Sequence, residues 1–144
     1  MRIHEVLHGK SSQDVITISP DASVRELLAL LAEHNVGALV VSREGTLVDG
    51  IVSERDVVRR LHGDENALEG PVSGIMTTEV ATCEPDTSTE ELMALMTERR
   101  IRHVPVVRDG ALSGIVSIGD VVKIRMEELQ AEQQQLRDYI AQGG

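Results

Sequence analysis

A seven-residue string that contains glycine, serine and aspartate occurs twice in the chain. It is GIVSERD at residues 50–56 and GIVSIGD at residues 114–120. A serine followed three residues later by an acid has the spacing of a capping box, in which the two side chains satisfy free backbone N–H groups at the start of a helix. With Gly50 and Gly114 interpreted as turn residues, this structural explanation accounts for the string without any ligand.

The same string also has the features of a binding site. The N–H groups at a helix N-terminus attract anions, and an acid beside them can accept hydrogen bonds from ribose hydroxyls, as it does in dinucleotide-binding folds. Guanidinium groups, which suit phosphate, occur in the same repeats at Arg55, Arg99, Arg100 and Arg102. In a chain of formal net charge −10 such a basic group favours a bound anion, although arginines at a solvated helix C-terminus would also explain it.

Composition excludes several classes of protein. The chain has 144 residues, of which 41% are hydrophobic, with Tyr139 as its one aromatic residue. Aromatic stacking platforms for single-stranded nucleic acid are therefore absent, and the acidity argues against binding to DNA or to an anionic membrane. One cysteine, Cys83, suits a reducing cytosol, and no apolar run approaches the length of a membrane span. The sequence predicts a cytoplasmic protein that binds neither nucleic acid nor membrane.

Evidence for an enzyme is weak. No G-x-G-x-x-G string and no Walker loop occurs in the sequence. A single cysteine makes a structural zinc site unexpected, and Cys83 lies in a strand-like run, which favours a buried thiol over a nucleophile. We predict a non-catalytic protein with no bound metal.

The repeated string is the end of a longer internal repeat. Residues 17–47 match residues 82–112, with the Pro-Asp pairs at 20–21 and 85–86 in register. Each copy predicts a strand, a helix, two strands joined by a tight turn at REGTL or RDGAL, and a second helix. The predicted strands are residues 15–18, 38–42, 80–83 and 103–107, with one more in each GIVS string. Neither copy is large enough to hold a full core, so we expect the two to pack together.

The repeated unit, with TISPDASVRELLALLAEHNVGALVV and GIVSERDVV followed by their second copies, resembles a tandem pair of CBS domains, or Bateman module. The resemblance covers about residues 10–125. It implies an α/β (α+β) fold class, with two β-α-β-β-α units packed around a pseudo-two-fold axis and a long C-terminal helix added. The expected bounds are 1–64 for the first unit with a lead-in at 1–14, 65–75 for the linker, 76–125 for the second unit and 126–144 for a helical tail.

The resemblance also implies a function. Family members bind adenosine compounds in clefts between the units, so it implies a regulatory, energy-sensing module for AMP most readily, or for ADP, ATP, NAD or S-adenosylmethionine. It further implies a disc-like homodimer that acts on a downstream protein. The alternative is a structural dimerisation or adaptor protein whose clefts are empty.

Site residues follow from the family pattern. Asp56 and Asp120 would hold the ribose hydroxyls, and the segment that leads into each unit would cross to the cleft of the other. RRIRH in the second copy replaces EHNVGA of the first, so we expect the Asp120 cleft to prefer the more highly charged phosphate tail. The implied ligand-binding residues are Lys10, Val15, Thr17, Gly37, Ala38, Ser53, Arg55, Asp56, Met76, Val80, Thr82, Arg102, His103, Pro105, Ser117 and Asp120.

The C-terminal region has a pattern of its own. From Val121 to Gln142 the sequence is compatible with one helix, and apolar residues recur at spacings of three and four. This seam favours helix pairing across a homodimer, and folding back onto the same module is the alternative. Its residues are Met126, Leu129, Gln133, Leu136 and Ile140, with Gln133 as a polar a position.

Overall fold

The computed structural model describes residues 1–10 and 15–143. The expected lead-in at 1–14 therefore lies partly outside the described residues. The helices are α1 (Ile3–His8), α2 (Val24–His34), α3 (Glu54–Gly63), α4 (Thr89–Arg99) and α5 (Ile118–Gly143), and the strands are β1 (Thr17–Ile18), β2 (Ala38–Val41), β3 (Gly50–Ser53), β4 (His103–Arg108) and β5 (Ala111–Ser117). Two short 3₁₀ helices, Ala67–Glu69 and Val72–Gly74, lie between the repeats.

The described strands form two small sheets, one in each repeat. In the first, β1 is parallel to β2 and β2 is antiparallel to β3. In the second, β4 and β5 are antiparallel. The predicted strand at 80–83 is wrong, because only Cys83 pairs, through an isolated parallel bridge to Val106. The chain turns away directly after it, where the Thr87 N–H donates to the Glu84 carbonyl at 3.0 Å.

The two connections between antiparallel strands differ. RDGAL forms the predicted tight turn, with left-handed backbone at Asp109 (φ 51°) and Gly110 (φ 82°), as a two-residue hairpin turn requires. REGTL does not form one, because the first copy carries an extra residue and β2 is followed by a loop over residues 42–49. This loop contacts the second repeat, where the Leu112 N–H donates to the Thr46 carbonyl at 2.7 Å.

Helices α2 and α4 begin at matching serines and bury matching apolar faces. Ser23 accepts from the Glu26 N–H and Ser88 from the Glu91 N–H, each at 3.1 Å, which satisfies one free donor at each helix start. Helical spacing then places apolar residues on one face. The fully buried leucines of these faces are Leu27 in α2 and Leu92 in α4.

Each repeat's core is completed by the segment that precedes the other repeat. Ile3 and Val6 of α1 are buried in the core of the second repeat, and Val72 is buried in the core of the first. Backbone hydrogen bonds hold both segments: the Ile3 N–H donates to the Thr87 carbonyl at 2.9 Å, and Ile51 and Thr77 exchange two bonds at 2.9 and 3.0 Å. The crossing of the lead-in segments is thus present in the fold.

These crossing segments explain the glycine that opens each repeated string. A Cβ added to Gly50 would lie 2.8 Å from Met76 Sδ, and one added to Gly114 would lie 2.7 Å from Leu7 Cδ1. Both glycines lie within strands, so the expectation that they mark turns is wrong. They are needed because a neighbouring segment packs directly against the backbone.

Candidate functional site

Both repeated strings form the predicted capping boxes. Asp56 Oδ2 accepts from the Ser53 N–H at 2.8 Å, and the Asp56 N–H donates to Ser53 Oγ at 3.4 Å. In the second copy the corresponding distances for Ser117 and Asp120 are 2.9 and 3.2 Å. Among the described residues the hydrogen bonds that the two carboxylates accept all fall on Oδ2, and an ionised carboxylate has two oxygens with about four acceptor positions. Each aspartate therefore caps its helix and keeps acceptor capacity at Oδ1.

Lys10 adds a cation to the second string. Its Nζ donates to Asp120 Oδ2 at 2.9 Å and to the Ile115 carbonyl at 3.0 Å. Burial of Asp120 opposes its ionisation, but the hydrogen bonds from the Ser117 backbone and from Lys10 outweigh burial and hold the pKa of the carboxyl below its ordinary value. Asp120 is therefore ionised at neutral pH, and the Lys10 ammonium compensates part of its negative charge.

His103 lies where the two repeats meet. A Cβ on Gly37 would lie 3.6 Å from His103 Cε1 and 3.5 Å from Glu54 Oε1, so the start of β4 faces the start of α3. Burial lowers the pKa of His103, the carboxylates of Asp120 and Glu54 oppose that shift, and the positive charges of Arg102 and Lys10 add to it. The imidazole is neutral at neutral pH and can both donate and accept.

Asp56 lines an open groove of about 420 Å³. The groove separates α3 from the segment that leads into the second repeat. The residues that line it are Asp56, Arg59, Arg60, Gly63, Asp64, Gly74, Ile75 and Met76. Arg60 is already held there, because its guanidinium donates to the Gly74 carbonyl.

The charges near the two aspartates are more alike than the sequence indicates. Two arginines and two aspartates line the Asp56 groove. Near the other aspartate, the negative charges of Asp120 and Glu54 and the positive charges of Arg102 and Lys10 all influence the pKa of His103. Within the described residues, cations and carboxylates are therefore present beside both aspartates. The difference is the direct ion pair at Asp120, so the expected preference of that cleft for a charged tail stays a prediction.

The structure brings together some of the predicted site residues. Lys10, His103, Ser117 and Asp120 share one cluster, and Asp56 and Met76 line the groove. The others have mainly structural surroundings. Ala38 pairs with Ser53 and Thr17 pairs with Val40 in the first sheet. The Arg102 carbonyl accepts from the Ile118 N–H, and the carbonyl of the buried Pro105 accepts from the Cys83 N–H. The remaining four are the half-buried Val15 and Val80 and the exposed Arg55 and Thr82.

Sequence reasoning missed three charged residues at these sites. Glu54 is the first residue of α3 and faces His103, whereas the second copy has Ile118 at that position. Arg59 and Arg60 follow Asp56 by three and four residues, the spacing that places side chains on one face of a helix. The difference between the copies and the helical spacing were the signals that could have identified them.

The comparisons with known proteins match this architecture. The family model of the CBS domain matches residues 5–63 and 72–127. The chain belongs to the CBS-domain family. A CBS domain-containing protein of Arabidopsis thaliana, CBSX3, mitochondrial, is 41% identical over 142 residues, which cover 94% of this chain and 68% of that protein.

Solved structures agree with the assignment of a CBS pair. The CBS-domain containing protein ATU1752 from Agrobacterium tumefaciens matches with a TM-score of 0.82 and 42% identity, over 87% of this chain and 99% of that one. The CBS domain pair of protein MJ0100, crystallised in complex with 5-methylthioadenosine and S-adenosyl-L-methionine, matches with a TM-score of 0.78 and 25% identity, over 89% and 98% of the two chains. The predicted family and fold class are confirmed.

One short string in this CBS pair has the spacing of a metal motif. HEVLH at residues 4–8 has the H-E-x-x-H pattern of zinc proteases, which the sequence-based expectation of no metal did not take into account. In the structure Glu5 instead accepts from the Arg2 N–H at 3.2 Å as part of a helix cap. Among the described residues no three His, Cys, Asp or Glu side chains are grouped so as to hold a metal ion.

Cys83 is a packing residue of the second repeat. It is buried in the core with Val106 and Leu92, and burial raises the pKa of its thiol to about 11. The thiolate is the reactive form of cysteine, so this environment suppresses nucleophilic chemistry at neutral pH. The buried position agrees with the sequence-based interpretation.

No helix in the described part of the chain has both the length and the apolar character needed to cross a membrane.

Proposed function

We propose that this CBS pair is a non-catalytic regulatory module that binds an adenosine nucleotide beside Asp56 and Asp120. One observation carries the proposal. Each carboxylate is fixed through Oδ2 at the start of a helix, keeps Oδ1 as an acceptor, and stands beside the segment that leads into the opposite repeat. Ribose hydroxyls would donate to the carboxylate, and a phosphate would lie near the positive end of the helix dipole.

The crossing segments suggest how binding would be transmitted. Lys10 contacts Asp120, and Met76 lines the groove of Asp56, so a bound ligand would touch parts of both repeats. A ligand changes a conformational equilibrium only by its different affinity for the two states. Contacts to both repeats allow such a difference, because they depend on how the repeats are placed relative to each other.

AMP is the ligand we favour, and ATP, NAD and S-adenosylmethionine are the alternatives. The adenosine-containing ligands of MJ0100 support this chemical class. The two clefts should differ in affinity, because a ribose at Asp120 must share the carboxylate with Lys10 while one at Asp56 meets no such ion pair among the described residues. An anionic tail would favour the Asp120 cleft if it drew the Lys10 ammonium towards itself.

Thermal unfolding with each nucleotide tests the proposal. At about 1 mM ligand and a Kd of about 10 µM, binding to the folded state adds roughly 2.7 kcal/mol to the free energy of unfolding. For a domain of this size the midpoint would rise by several degrees. Asp56→Asn and Asp120→Asn should each reduce the rise, and Asp86→Asn, which removes an exposed carboxylate outside both strings, should not.

An adaptor protein with empty clefts is the second candidate function. It is favoured by the fact that both aspartates already have structural partners, Ser53 for one and Ser117 with Lys10 for the other. No change in melting temperature with any of the four nucleotides would favour this candidate. A change with the parent protein that persists in the double Asp→Asn variant would place the ligand elsewhere.

We further propose a cytoplasmic homodimer that regulates another protein and binds neither nucleic acid nor membrane. The net charge of −10 supports the last two points, since polyanions would be repelled. The single cysteine is buried and forms no disulfide, which is compatible with a reducing compartment. The Arabidopsis relative is mitochondrial by its name, so fractionation of cells is the test of location.

A further inference from the structure

The C-terminal half of α5 is a free helix with an apolar stripe. The helix has 26 residues, which corresponds to roughly 39 Å at 1.5 Å per residue, and every described residue from Leu129 onward is exposed. Exposed fractions reach 44% for Leu129 and 59% for both Leu136 and Ile140. The helix therefore does not fold back onto its own module, which was one of the two expectations from the sequence.

The stripe lies mostly beyond the shared family fold. The family model ends at residue 127, whereas the seam runs from Met126 to Ile140 with spacings of three, four, three and four. Towards the globular part it continues into Val122, which is 48% exposed and occupies the preceding d position. The two heptads of the tail are short for a coiled coil, and this continuation lengthens the apolar face.

From this seam we propose that α5 pairs with α5 of a second copy, parallel and in register. Met126, Gln133 and Ile140 then occupy a positions, and Leu129 and Leu136 occupy d positions. A polar residue at one a position fixes register and oligomer state. Gln133 meets Gln133 of the second copy in this arrangement and in no staggered one.

Charges beside the seam select the parallel orientation. In a parallel pair each g position lies beside the e position of the next heptad in the partner helix. Glu132 is at g and Arg137 is at e of the next heptad, so each copy's Glu132 meets Arg137 of the second copy. An antiparallel pair brings g beside g and e beside e, which separates these two residues. The hydrogen bond of Gln134 to Asp138 at 2.9 Å lies outside the seam and leaves it unobstructed.

Cysteine cross-linking in the full chain tests the register. A disulfide requires Cα atoms roughly 4.4–6.8 Å apart. Equivalent a positions of a parallel pair lie close to this separation, whereas equivalent b positions lie farther apart. We expect Gln133→Cys to form a disulfide-linked dimer under mild oxidation, and Gln134→Cys to remain largely uncross-linked. The unsubstituted protein is the control for Cys83, which is buried. Equal cross-linking at both positions, or none at 133, overturns the proposal.

Charge reversal tests the orientation by a separate measurement. Glu132→Arg and Arg137→Glu each place like charges together twice in the dimer, and we expect each to raise the dimer dissociation constant roughly threefold to tenfold. The double variant should return to the parent value, whereas Asp138→Arg, which reverses a charge outside the seam, should have little effect. Single variants that leave the constant unchanged, or a chain that sediments as a monomer, refute the pairing. Neither result depends on nucleotide binding, so this inference and the proposed nucleotide site fail independently.

Discussion

Removal of the Lys10 ammonium by Lys10→Met should lower the stability of the protein by about 1–2 kcal/mol, a value between those of exposed and buried ion pairs. The side chains of Lys10 and Asp120 are 28% and 23% exposed, and their N···O distance is 2.9 Å. Exposed pairs contribute about 0.2–1 kcal/mol, and loss of one partner of a fully buried pair costs about 3–5 kcal/mol. At this chain length the loss corresponds to a fall in melting temperature of about 3–6 °C.

A double-mutant cycle measures the coupling itself. The free energy of unfolding is determined by urea denaturation for the parent, Lys10→Met, Asp120→Asn and the double variant, and the coupling is the departure from additivity. The chain offers a matched control in Arg43 and Asp21, whose N···O distance is also 2.9 Å but whose side chains are 62% and 73% exposed. The cycle of Arg43→Met and Asp21→Asn should give less than about 1 kcal/mol.

Equal coupling in the two cycles would refute the argument that burial strengthens the Lys10 pair. A Lys10 coupling below that of the exposed control would also refute the assignment of Lys10 as the residue that holds Asp120 ionised. In that case the backbone and side chain of Ser117 would have to account for the lowered pKa of Asp120.

Three further predictions concern acid, alkali and the crossing segment. The folded-state pKa values of His103 and Asp120 lie below their ordinary values of 6.5 and 3.8. The contribution of each group to the free energy of unfolding is therefore complete above its ordinary pKa and is lost as the pH falls through its folded-state pKa. Urea titrations at a series of pH values should show both losses, and His103→Gln should remove the first. The pKa of Cys83 is raised from 9.0 to about 11, so stability should fall as pH rises from 9.0 through that value, and iodoacetamide should react with the native thiol far more slowly than with the urea-unfolded one; equal rates would contradict its burial. Ile3→Ala should cost about 2–5 kcal/mol, as expected for a fully buried side chain, and should increase hydrogen exchange in α4 and β4 of the second repeat; Leu47→Ala, at a residue 55% exposed, is the control, and increased exchange confined to the first repeat would contradict the crossing.

Local chemistry made much of the fold predictable from the sequence. The capping serines Ser53 and Ser117 begin α3 and α5 as predicted, because a cap depends on residues only three positions apart. Ser23 and Ser88 cap α2 and α4 in the same way, which the sequence analysis did not predict. Helical spacing likewise identified the buried faces of α2 and α4. The hairpin of the second copy followed from Asp109 and Gly110, whose types suit left-handed backbone.

Features that depend on distant parts of the chain were predicted less well. The run at 80–83 has the composition of a strand, yet only Cys83 has a partner. The glycines at 50 and 114 were assigned to turns because the crossing segments that pack on them lie far away in the sequence. Glu54, Arg59 and Arg60 have local signals in the sequence, but what α3 faces depends on its packing against distant segments.

The exchange of lead-in segments between the repeats has a consequence for biosynthesis. The first repeat cannot complete its core until Val72 has left the ribosome, and Ile3 and Val6 must wait for partners as late as Val121. Contacts between such distant residues slow folding, since a long loop must close before they form. The residues of α1 are made before either repeat and are nevertheless among the last to be buried. During translation α1 is therefore a segment without a native partner, of the kind that chaperones protect.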